Sequence, residues 1–392
     1  MTDNALLTVL IPVYNGARTL GRALDSLVAQ TNPNFKAVIV DNASEDETPE
    51  IAARFTRDDP RFSYHRNAQN FGQFYNTARL FFGVSTPYCA VLHADLVWAP
   101  AYAEECLLAL EADPEAVIAY SQCQFVSEEG RALDLHRDRI TFDQADPAER
   151  YLNTITHMAW CTAYHGVLRY QAAVEPFILM PQHRNAAGDN EFLALMSLKG
   201  KLVQVEKPLF YRIKDAHQIV GEFLPDRYRR LYRASVNGPI NLPFCTFIRD
   251  YCRNLTRSGL PLAVVDDLIQ KTISILLGRY KQYIEFELTD SLARIIDGRF
   301  KASWGGEADQ EPAAAAPPGQ HRYIDFVYMS EWLRDLDYAD LLRPGFPLLN
   351  LAKAMILATI GKNDEAATAL NLELKRDPNC RQALELKSRW KI

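Results

Sequence analysis

The sequence predicts an α/β fold, with a Rossmann-like mixed but mostly parallel sheet flanked by helices, followed by an α-helical C-terminal region. Two short β-branched runs, at residues 8–11 and 37–40, have the continuous apolar character of buried strands. Between them, residues 18–30 place apolar side chains at helical spacing, so this stretch is typical of a strand, helix and parallel strand unit. From about residue 221 the apolar spacing becomes helical.

The later elements of the α/β part follow from the same patterns. Strands are predicted at residues 61–66, 88–93, 117–121, 124–126 and 202–205, and helices at residues 49–55, 71–84, 100–110 and 188–199. Thr48 is expected to cap the helix at 49–55, with Pro49 at its first position. Gly200 is expected to close the helix at 188–199. Strands and helices that alternate in this way favour a sheet covered on both faces.

Composition and charge exclude some classes of protein. Hydrophobic residues make up 48% and charged residues 23% of the chain, as in a protein with a sizeable buried core. A net charge of −6 argues against a general nucleic-acid binder, which needs a dominant positive field. The sequence shows neither a secretory signal nor a clear membrane span, and its 7 cysteines are scattered. We therefore expect a cytoplasmic protein with reduced thiols.

Polar side chains end the first two predicted strands. They are Pro12, Tyr14 and Asn15 after the first strand, and Asp41, Asn42 and Ser44 after the second. In open parallel sheets, ligands bind beyond the carboxyl ends of the strands. Tyr14 offers an aromatic face to a base and Asp41 an acceptor for an imide N–H, although an Asp in this position can also simply cap the loop. These strand ends predict a nucleotide site.

Two further carboxylates follow predicted elements. Asp95 comes after the strand at 88–93 and is a hard oxygen ligand suited to Mg²⁺ or Mn²⁺, which take their remaining ligands from substrate phosphates. Asp189 begins the helix at 188–199, where a carboxylate can be reactive or can merely complement the helix dipole. Together with the strand ends, these residues suggest a nucleotide and metal site built from separate loops.

Three motifs together identify a family. The segments Thr8-Val-Leu-Ile-Pro-Val-Tyr-Asn15, Leu24-x-Ser-Leu-x-x-Gln30 and Val40-Asp-Asn-Ala-Ser-Glu-Asp46 resemble, in order and spacing, the opening of the family 2 glycosyltransferases of the GT-A fold. The resemblance extends over about residues 6–217. It implies a nucleotide-sugar as donor and a glycan or glycolipid as acceptor. By resemblance Pro12, Tyr14 and Asp41 hold the base, and the residues that line the rest of the sugar-donor cleft are Asn15, Asn42, Ser44, Asn70, Gly72 and Asn76.

The catalytic part of the motif set departs from the family pattern at one position. Leu92-His-Ala-Asp95 stands where the family has D-x-D, so that His93 replaces the first acid and faces the sugar donor, while Asp95 remains as metal ligand. His217 resembles the loop that closes on the diphosphate and is a second candidate ligand for Mg²⁺ or Mn²⁺. Asp189 is the implied general base, with Glu191 in reserve.

The resemblance, the change to helical spacing and one low-complexity stretch divide the chain into predicted domains. Residues 1–220 form the predicted GT-A glycosyltransferase domain, 221–302 a helical extension, 303–321 a low-complexity linker, and 322–392 a helical hairpin or a tetratricopeptide-like segment. The last alternative depends on one repeat-like match at residues 357–378, whereas at least three repeats are needed for such a fold to stand alone. The helical C-terminal region is a candidate for contact with a protein or with the inner face of the membrane. Its basic run at 227–233 could meet lipid phosphates there, or could form a solvated helix face, which the pattern favours.

The function that follows is metal-dependent, inverting transfer of a sugar from a nucleotide diphosphate-sugar, with a UDP-sugar favoured, to a hydroxyl group. A sugar nucleotidyltransferase is a rival, but residues 11–21 lack its glycine-rich phosphate loop. A catalytically silent scaffold that binds nucleotide or glycan is the other rival, because His93 and Gly188 stand where acids are usual. The stretch with His157, Trp160 and His165 could face the acceptor or belong to the core.

Overall fold

A computed structural model gives the structure of the chain. It describes residues 5–72, 76–77, 80–127, 130–136, 141–158, 161–179, 188–213, 242–296, 333, 336–337, 339–340, 348–359 and 362–390. The chain divides into a first unit, Met1–Glu222 with Arg253–Thr272, and a second unit, Phe223–Cys252 with Ile273–Ile392. The domain boundaries inferred from the sequence stay predictions, and the predicted linker at 303–321 lies outside the described residues.

Four parallel strands form one half of the sheet of the first unit. They are β1 (Leu7–Val13), β2 (Phe35–Asp41), β3 (Phe62–Arg66) and β4 (Tyr88–Val91), in the spatial order β3-β2-β1-β4. Their register places Val13 beside Asp41 and Asp41 beside Arg66. Because the strands are parallel, the polar residues that follow each of them emerge at the same edge of the sheet.

The other half of the sheet mixes strand directions. It contains β5 (Leu96–Trp98), β6 (Ala116–Val126), β7 (Ala132–His136), β8 (Val167–Arg169) and β9 (Lys201–Ile213). From β4 the order continues β8-β6-β9-β5, and β7 pairs with β6. Only the β6 and β9 pair of this half is parallel. The sheet is therefore mixed, as the sequence predicts.

Helices cover the sheet and bury its two faces. They are α1 (Ala17–Val28), α2 (Thr48–Asp58), α3 (Tyr102–Ala112), α4 (Pro147–His157), α5 (Tyr170–Leu179) and α6 (Gly188–Lys199), with a 3-10 turn at Thr162–His165. Leu20 and Leu24 of α1 belong to one apolar cluster, with Val9 and Ile39 of the sheet. A second cluster packs Phe192 of α6 and other apolar side chains on further sheet residues. Each cluster buries many apolar side chains, the main stabilising term of such a fold.

The described residues of the later part of the chain are helical, as predicted. The helices are α7 (Pro243–Leu255), α8 (Leu262–Ile296), α9 (Leu349–Thr359), α10 (Asn363–Arg376) and α11 (Arg381–Trp390). In the second unit, the buried Glu287 carboxylate accepts the backbone N–H groups of Phe244 (3.0 Å) and Cys245 (2.8 Å) and so caps the start of α7. Helices α9 to α11 share an apolar cluster that includes Leu357 and Leu370. The tetratricopeptide likeness stays a prediction, and no described helix is long and apolar enough to cross a membrane.

Several local predictions are corrected. Glu47, not Thr48, is the N-cap of α2, because the Thr48 hydroxyl is hydrogen-bonded to Gly16 and Asp46 instead. The helix expected from residue 71 cannot include Gly72, whose φ of 86° is left-handed. Residues 116–126 form one strand where two were expected, and β9 continues to Ile213. Strand β5 and helix α4 were not predicted, since neither has a long periodic pattern.

Candidate active site

The loops that follow β1 and β2 are joined by hydrogen bonds. The Asn15 N–H donates to Ser44 Oγ at 2.8 Å, and the Glu45 N–H donates to Asn15 Oδ1 at 2.9 Å. Asn15 has a φ of 48°, a left-handed conformation that Asn adopts more readily than most residues. The two predicted residues Asn15 and Ser44 therefore shape the cleft by holding its two loops together.

The start of α1 is capped by the same neighbouring loop. Gly16 N–H donates to Thr48 Oγ1 at 2.9 Å, and Ala17 N–H donates to Asp46 Oδ2 at 3.0 Å. Burial raises the pKa of the Asp46 carboxyl, but hydrogen bonds from Thr48 and Ala17 outweigh it, so the pKa is below its usual value. Asp46 thus places a carboxylate at the positive end of the helix.

Asp41 is wholly buried at the end of β2, with 0% of its surface exposed. Its Oδ1 accepts the Ser44 N–H at 2.8 Å and its Oδ2 accepts the Tyr64 hydroxyl at 2.8 Å, while Arg66 Nη1 lies 3.6 Å from Oδ2. Burial and the bond to Asp41 raise the pKa of Tyr64 to about 12. The sequence interpretation missed Tyr64 and Arg66. The register of β3 beside β2, which puts Arg66 opposite Asp41, is the signal that could have found them.

Four asparagines form a network beside Asp41. Asn67 Nδ2 donates to Asn42 Oδ1 at 3.0 Å and to Asn76 Oδ1 at 2.9 Å, and Asn42 Nδ2 donates to Asn70 Oδ1 at 2.6 Å. Asn70 Oδ1 also accepts the Gly72 N–H at 2.8 Å. Three of these asparagines and Gly72 were singled out from the sequence, whereas Asn67 was not. Their side chains hold the segment after β3 against the end of β2.

The open face of this region is formed by the end of β1. Tyr14 is 47% exposed, and Pro12 is half-buried beside Val40 of β2. An exposed aromatic ring at a parallel strand end is available to stack on a planar ligand. The six predicted residues at the ends of β1 and β2 therefore lie at one edge of the sheet, with Tyr14 as their accessible aromatic group.

A second group of polar residues converges on His93, which follows β4. Burial lowers the pKa of His93; the negative charges of Asp95 and Asp189 oppose that shift, and the positive charge of Arg212 adds to it. Three positions far apart in the sequence are thus close enough to act on one imidazole. The predicted Asp95, an exposed residue, and the predicted Asp189 are thus both within electrostatic range of His93. Arg212 was not predicted there and is supplied by β9.

His165 lies behind His93. The two ring centroids are 5.0 Å apart, and His165 stacks on Phe210 at 5.5 Å. Burial, and then the positive charges of His93 and Arg212, lower the pKa of His165 well below its usual value. Its Nδ1 and the Nε of Arg212 are buried without a hydrogen-bond partner among the described residues. His165 is a buried core residue, His157 is exposed at the end of α4, and Trp160 lies outside the described residues.

The first turn of α6 carries both predicted catalytic carboxylates. Asp189 is half-buried, and its Oδ1 accepts the Asn190 N–H at 2.9 Å. Glu191 is 0% exposed, and its Oε1 accepts a hydrogen bond from Asn254 Nδ2. Asp189 is therefore the more accessible of the two.

The described residues provide few ligands for a metal ion. None of their His, Cys, Asp and Glu side chains form a group of three or more that could hold one. His217, a predicted ligand, lies outside the described residues. Asp95 is a single exposed carboxylate, a ligand that suits Mg²⁺ or Mn²⁺ when a substrate supplies further oxygens, and it is within electrostatic range of His93.

The geometry can be compared with known proteins. Residues 8–166 match the family model Glycosyl transferase family 2. The match covers the strand ends and His93 but ends before α6, so that Asp189 is outside it. It supports the family resemblance predicted from the three motifs at residues 8–15, 24–30 and 40–46.

Individual relatives are more distant. EpsH of Bacillus subtilis, provisionally named a glycosyltransferase, is 27% identical over 157 residues, 39% of this chain and 43% of EpsH. The glycosyltransferase GlyA of Streptococcus pneumoniae is 40% identical over 58 residues, 15% of this chain and 8% of GlyA. The chain therefore spans less than half of the length of each of these curated relatives.

A solved structure extends the likeness to the fold of nearly the whole chain. S. aureus TarS 1–349, in complex with UDP-GlcNAc, superposes with a TM-score of 0.53 at 14% identity, over 92% of this chain and 91% of TarS 1–349. At this identity the likeness is one of fold. It confirms the predicted fold class, a GT-A-like mixed sheet with flanking helices and a helical C-terminal region.

Proposed function

We propose that this chain is a glycosyltransferase that moves a sugar from a nucleotide diphosphate-sugar, taken to be a UDP-sugar, to a hydroxyl group of a glycan or glycolipid. The observation that carries this function is that the strand ends with Tyr14 and Asp41 lie at one edge of the sheet, and that His93, which follows β4 of the same sheet, is within electrostatic range of Asp95, Asp189 and Arg212. The match of residues 8–166 to a glycosyltransferase family supports the reaction class. The likeness of fold to TarS, a protein solved with UDP-GlcNAc, supports the class of sugar donor.

The nucleotide half of the site consists of the residues at the ends of β1 and β2 and the asparagines beside them. It would bind the base between Tyr14 and Asp41. The exposed Tyr14 ring is free to stack, and a carboxylate oxygen of Asp41 can accept an imide N–H in addition to its present partners. Because no part of Asp41 is exposed, the base can reach it only if the contact with Tyr64 or Ser44 shifts. Binding in this half is therefore expected to move the loop after β2 or the Tyr64 side chain.

The reactive half of the site, made up of His93, Asp95, Asp189 and Arg212, would hold the diphosphate. Arg212 brings a fixed positive charge there, and its buried Nε has no hydrogen-bond partner among the described residues. Asp95 and His93 are the described residues that would hold Mg²⁺ or Mn²⁺, and the bound ion would neutralise charge on the departing diphosphate. His217 stays a predicted ligand outside the described residues. The positive charges of Arg212 and of a bound metal ion would both stabilise the negative charge that develops on the departing diphosphate.

Asp189 would act as the general base. An acceptor hydroxyl is too weak an acid to attack unaided, so the Asp189 carboxylate removes its proton as the oxygen bonds to the anomeric carbon. The bond from that carbon to the diphosphate breaks on the opposite side, which inverts the anomeric centre. Glu191, the reserve candidate, is wholly buried and bonded to Asn254, so Asp189 is the better placed of the two to meet an acceptor.

The test is a measurement of nucleotide diphosphate release and sugar transfer with UDP-, GDP- and dTDP-sugars, with Mn²⁺, Mg²⁺ or chelator present. We expect transfer from one UDP-sugar, dependent on the metal, with an inverted anomeric centre in the product by NMR. Reactions without the acceptor measure hydrolysis alone. Tight nucleotide binding without release from any sugar donor would instead favour the silent scaffold.

A cytoplasmic location, and a contact of the helical C-terminal region with a protein or the inner face of the membrane, stay predictions of the sequence. None of the 7 cysteines, all in the described part of the chain, forms a disulfide. Reduced, mostly buried thiols fit the proposed location.

A further inference from the structure

Asn254 lies outside the family match and is linked to the helix that carries Asp189. It lies in α7. It also lies within Arg253–Thr272, a segment that belongs to the first unit. Its side chain is 0% exposed, and its Nδ2 donates one hydrogen bond to Glu191 Oε1 and another to the Leu179 carbonyl at 3.2 Å. Leu179 is the last residue of α5, and Glu191 is in the first turn of α6. One buried amide therefore joins the end of one helix to the start of the next.

The bond to Glu191 has consequences for Asp189. A carboxylate buried at 0% exposure is costly unless hydrogen bonds satisfy it, and Asn254 supplies one such bond, which favours the present position of Glu191. Asp189 precedes Glu191 by two residues in the same helical turn, and a helical turn moves as one body. A displacement of Glu191 would therefore shift the Asp189 carboxylate.

We propose that Asn254 is a positioning residue, which acts through Glu191 to hold the first turn of α6 and so aims Asp189 at the acceptor hydroxyl. The proposal rests on the assignment of Asp189 as the base. It gives Glu191 a supporting role in place of the reactive role considered from the sequence. It also means that a residue of α7, beyond residue 220, contributes to the reaction.

The test compares Asn254→Asp, Glu191→Gln and the double variant. Asn254→Asp sets two carboxylates against each other, and we expect kcat to fall about 100-fold while the KM for the sugar donor changes less than about twofold. Glu191→Gln keeps an oxygen for the Asn254 amide, so kcat should fall less than about tenfold. The double variant exchanges acid and amide, restores a hydrogen bond, and should recover at least about tenfold in kcat over Asn254→Asp.

Other results would overturn the proposal. An unchanged kcat in Asn254→Asp would do so, and so would a double variant with a lower kcat than Asn254→Asp. A loss of kcat in Glu191→Gln as large as in Asp189→Asn would make Glu191 the reacting group. Thr272→Val is the matched control, because it removes a buried hydrogen bond to Tyr151 (3.2 Å) in the same unit without touching α6. We expect that control to keep the wild-type kcat.

Amide hydrogen exchange separates this proposal from the proposed function. In Asn254→Asp we expect faster exchange at residues 188–192 than in the wild type and in Thr272→Val, whether or not sugar transfer is detected. Unchanged exchange there overturns the positioning role even for an active enzyme. A wild type that transfers no sugar contradicts the proposed function, while the exchange measurement still decides whether Asn254 holds this turn. If Asn254→Asp does not fold, the kcat of Glu191→Gln decides between a supporting and a reacting Glu191.

Discussion

The two halves of the site differ in how their polar groups are satisfied. In the nucleotide half, Asp41, the four asparagines, Asn15 and Ser44 are bonded to one another across three loops. In the reactive half, buried nitrogens of His165 and Arg212 have no hydrogen-bond partner among the described residues. The polar groups of the nucleotide half are hydrogen-bonded to one another, whereas the reactive half places charges of both signs around His93.

This difference indicates how the two halves would work. A saturated network holds its loops in one arrangement without a ligand, so most of the nucleotide half is formed in advance, and only the contact of Asp41 with Tyr64 or Ser44 would have to shift when the base binds. Buried polar atoms without partners are costly and are retained where a ligand will satisfy them. In the reactive half, a bound substrate would supply such partners. Substitutions in the two halves should accordingly change different quantities.

The largest effect is expected in the reactive half. Asp189→Asn keeps the shape of the side chain but removes the basic oxygen, so kcat should fall about 1000-fold. The Kd for UDP, measured by calorimetry, should change less than about twofold, because the nucleotide half is untouched. Asp266→Asn, the same change at an exposed carboxylate of α8, is the control and should keep the wild-type kcat. Full turnover in Asp189→Asn would remove Asp189 as the base.

A smaller effect of the opposite kind is expected in the nucleotide half. Asp41→Asn removes the charged acceptor for a base N–H, so the Kd for UDP should rise about tenfold while kcat at saturating sugar donor stays near the wild-type value. Asp59→Asn is the control, because Asp59 pairs with Arg61 at the opposite end of β3. If both variants weakened UDP binding equally, the loss of one negative charge from the protein, and not the position of Asp41, would explain the weaker binding.

The smallest effect is one of stability alone. Asp46→Ala removes the carboxylate that caps α1, and the free energy of unfolding at pH 7 should fall by about 1 kcal/mol in urea titrations. Because the folded-state pKa of Asp46 is lowered from its ordinary 3.8, this contribution is present above about pH 4 and is lost as the pH falls through the lower folded value. The difference between wild type and variant should therefore shrink at pH 3.

The control for this prediction is Glu45→Ala. Glu45 is the exposed neighbour of Asp46, and its replacement should change stability by less than about 0.5 kcal/mol. A stability difference for Asp46→Ala that is the same at pH 7 and pH 3 would contradict the role of the ionised carboxylate. If UDP binding fell as far as in Asp41→Asn, the cap would be part of the nucleotide site itself.

Local chemistry made much of the fold predictable. Buried parallel strands have continuous β-branched runs, and the polar residues at 12–15 and 41–46 stand out because they end such runs. The helix Gly188–Lys199 was predicted with its observed bounds, because its end is marked by Gly200. By contrast, β5 has three residues and α4 follows a stretch without clear periodicity, so neither gave a signal long enough to interpret.

The sequence by itself determined the α/β order of elements, the strand ends that carry Tyr14 and Asp41, and the candidate carboxylates Asp95 and Asp189. Only the tertiary structure decided which partners these groups have. Tyr64 and Asn67 reach the nucleotide half through strand register, Arg212 reaches His93 from β9, and Asn254 reaches Glu191 from a helix 63 positions away. The physical reason is that secondary structure follows from neighbours along the chain, whereas hydrogen bonds and charges act between groups that folding brings together.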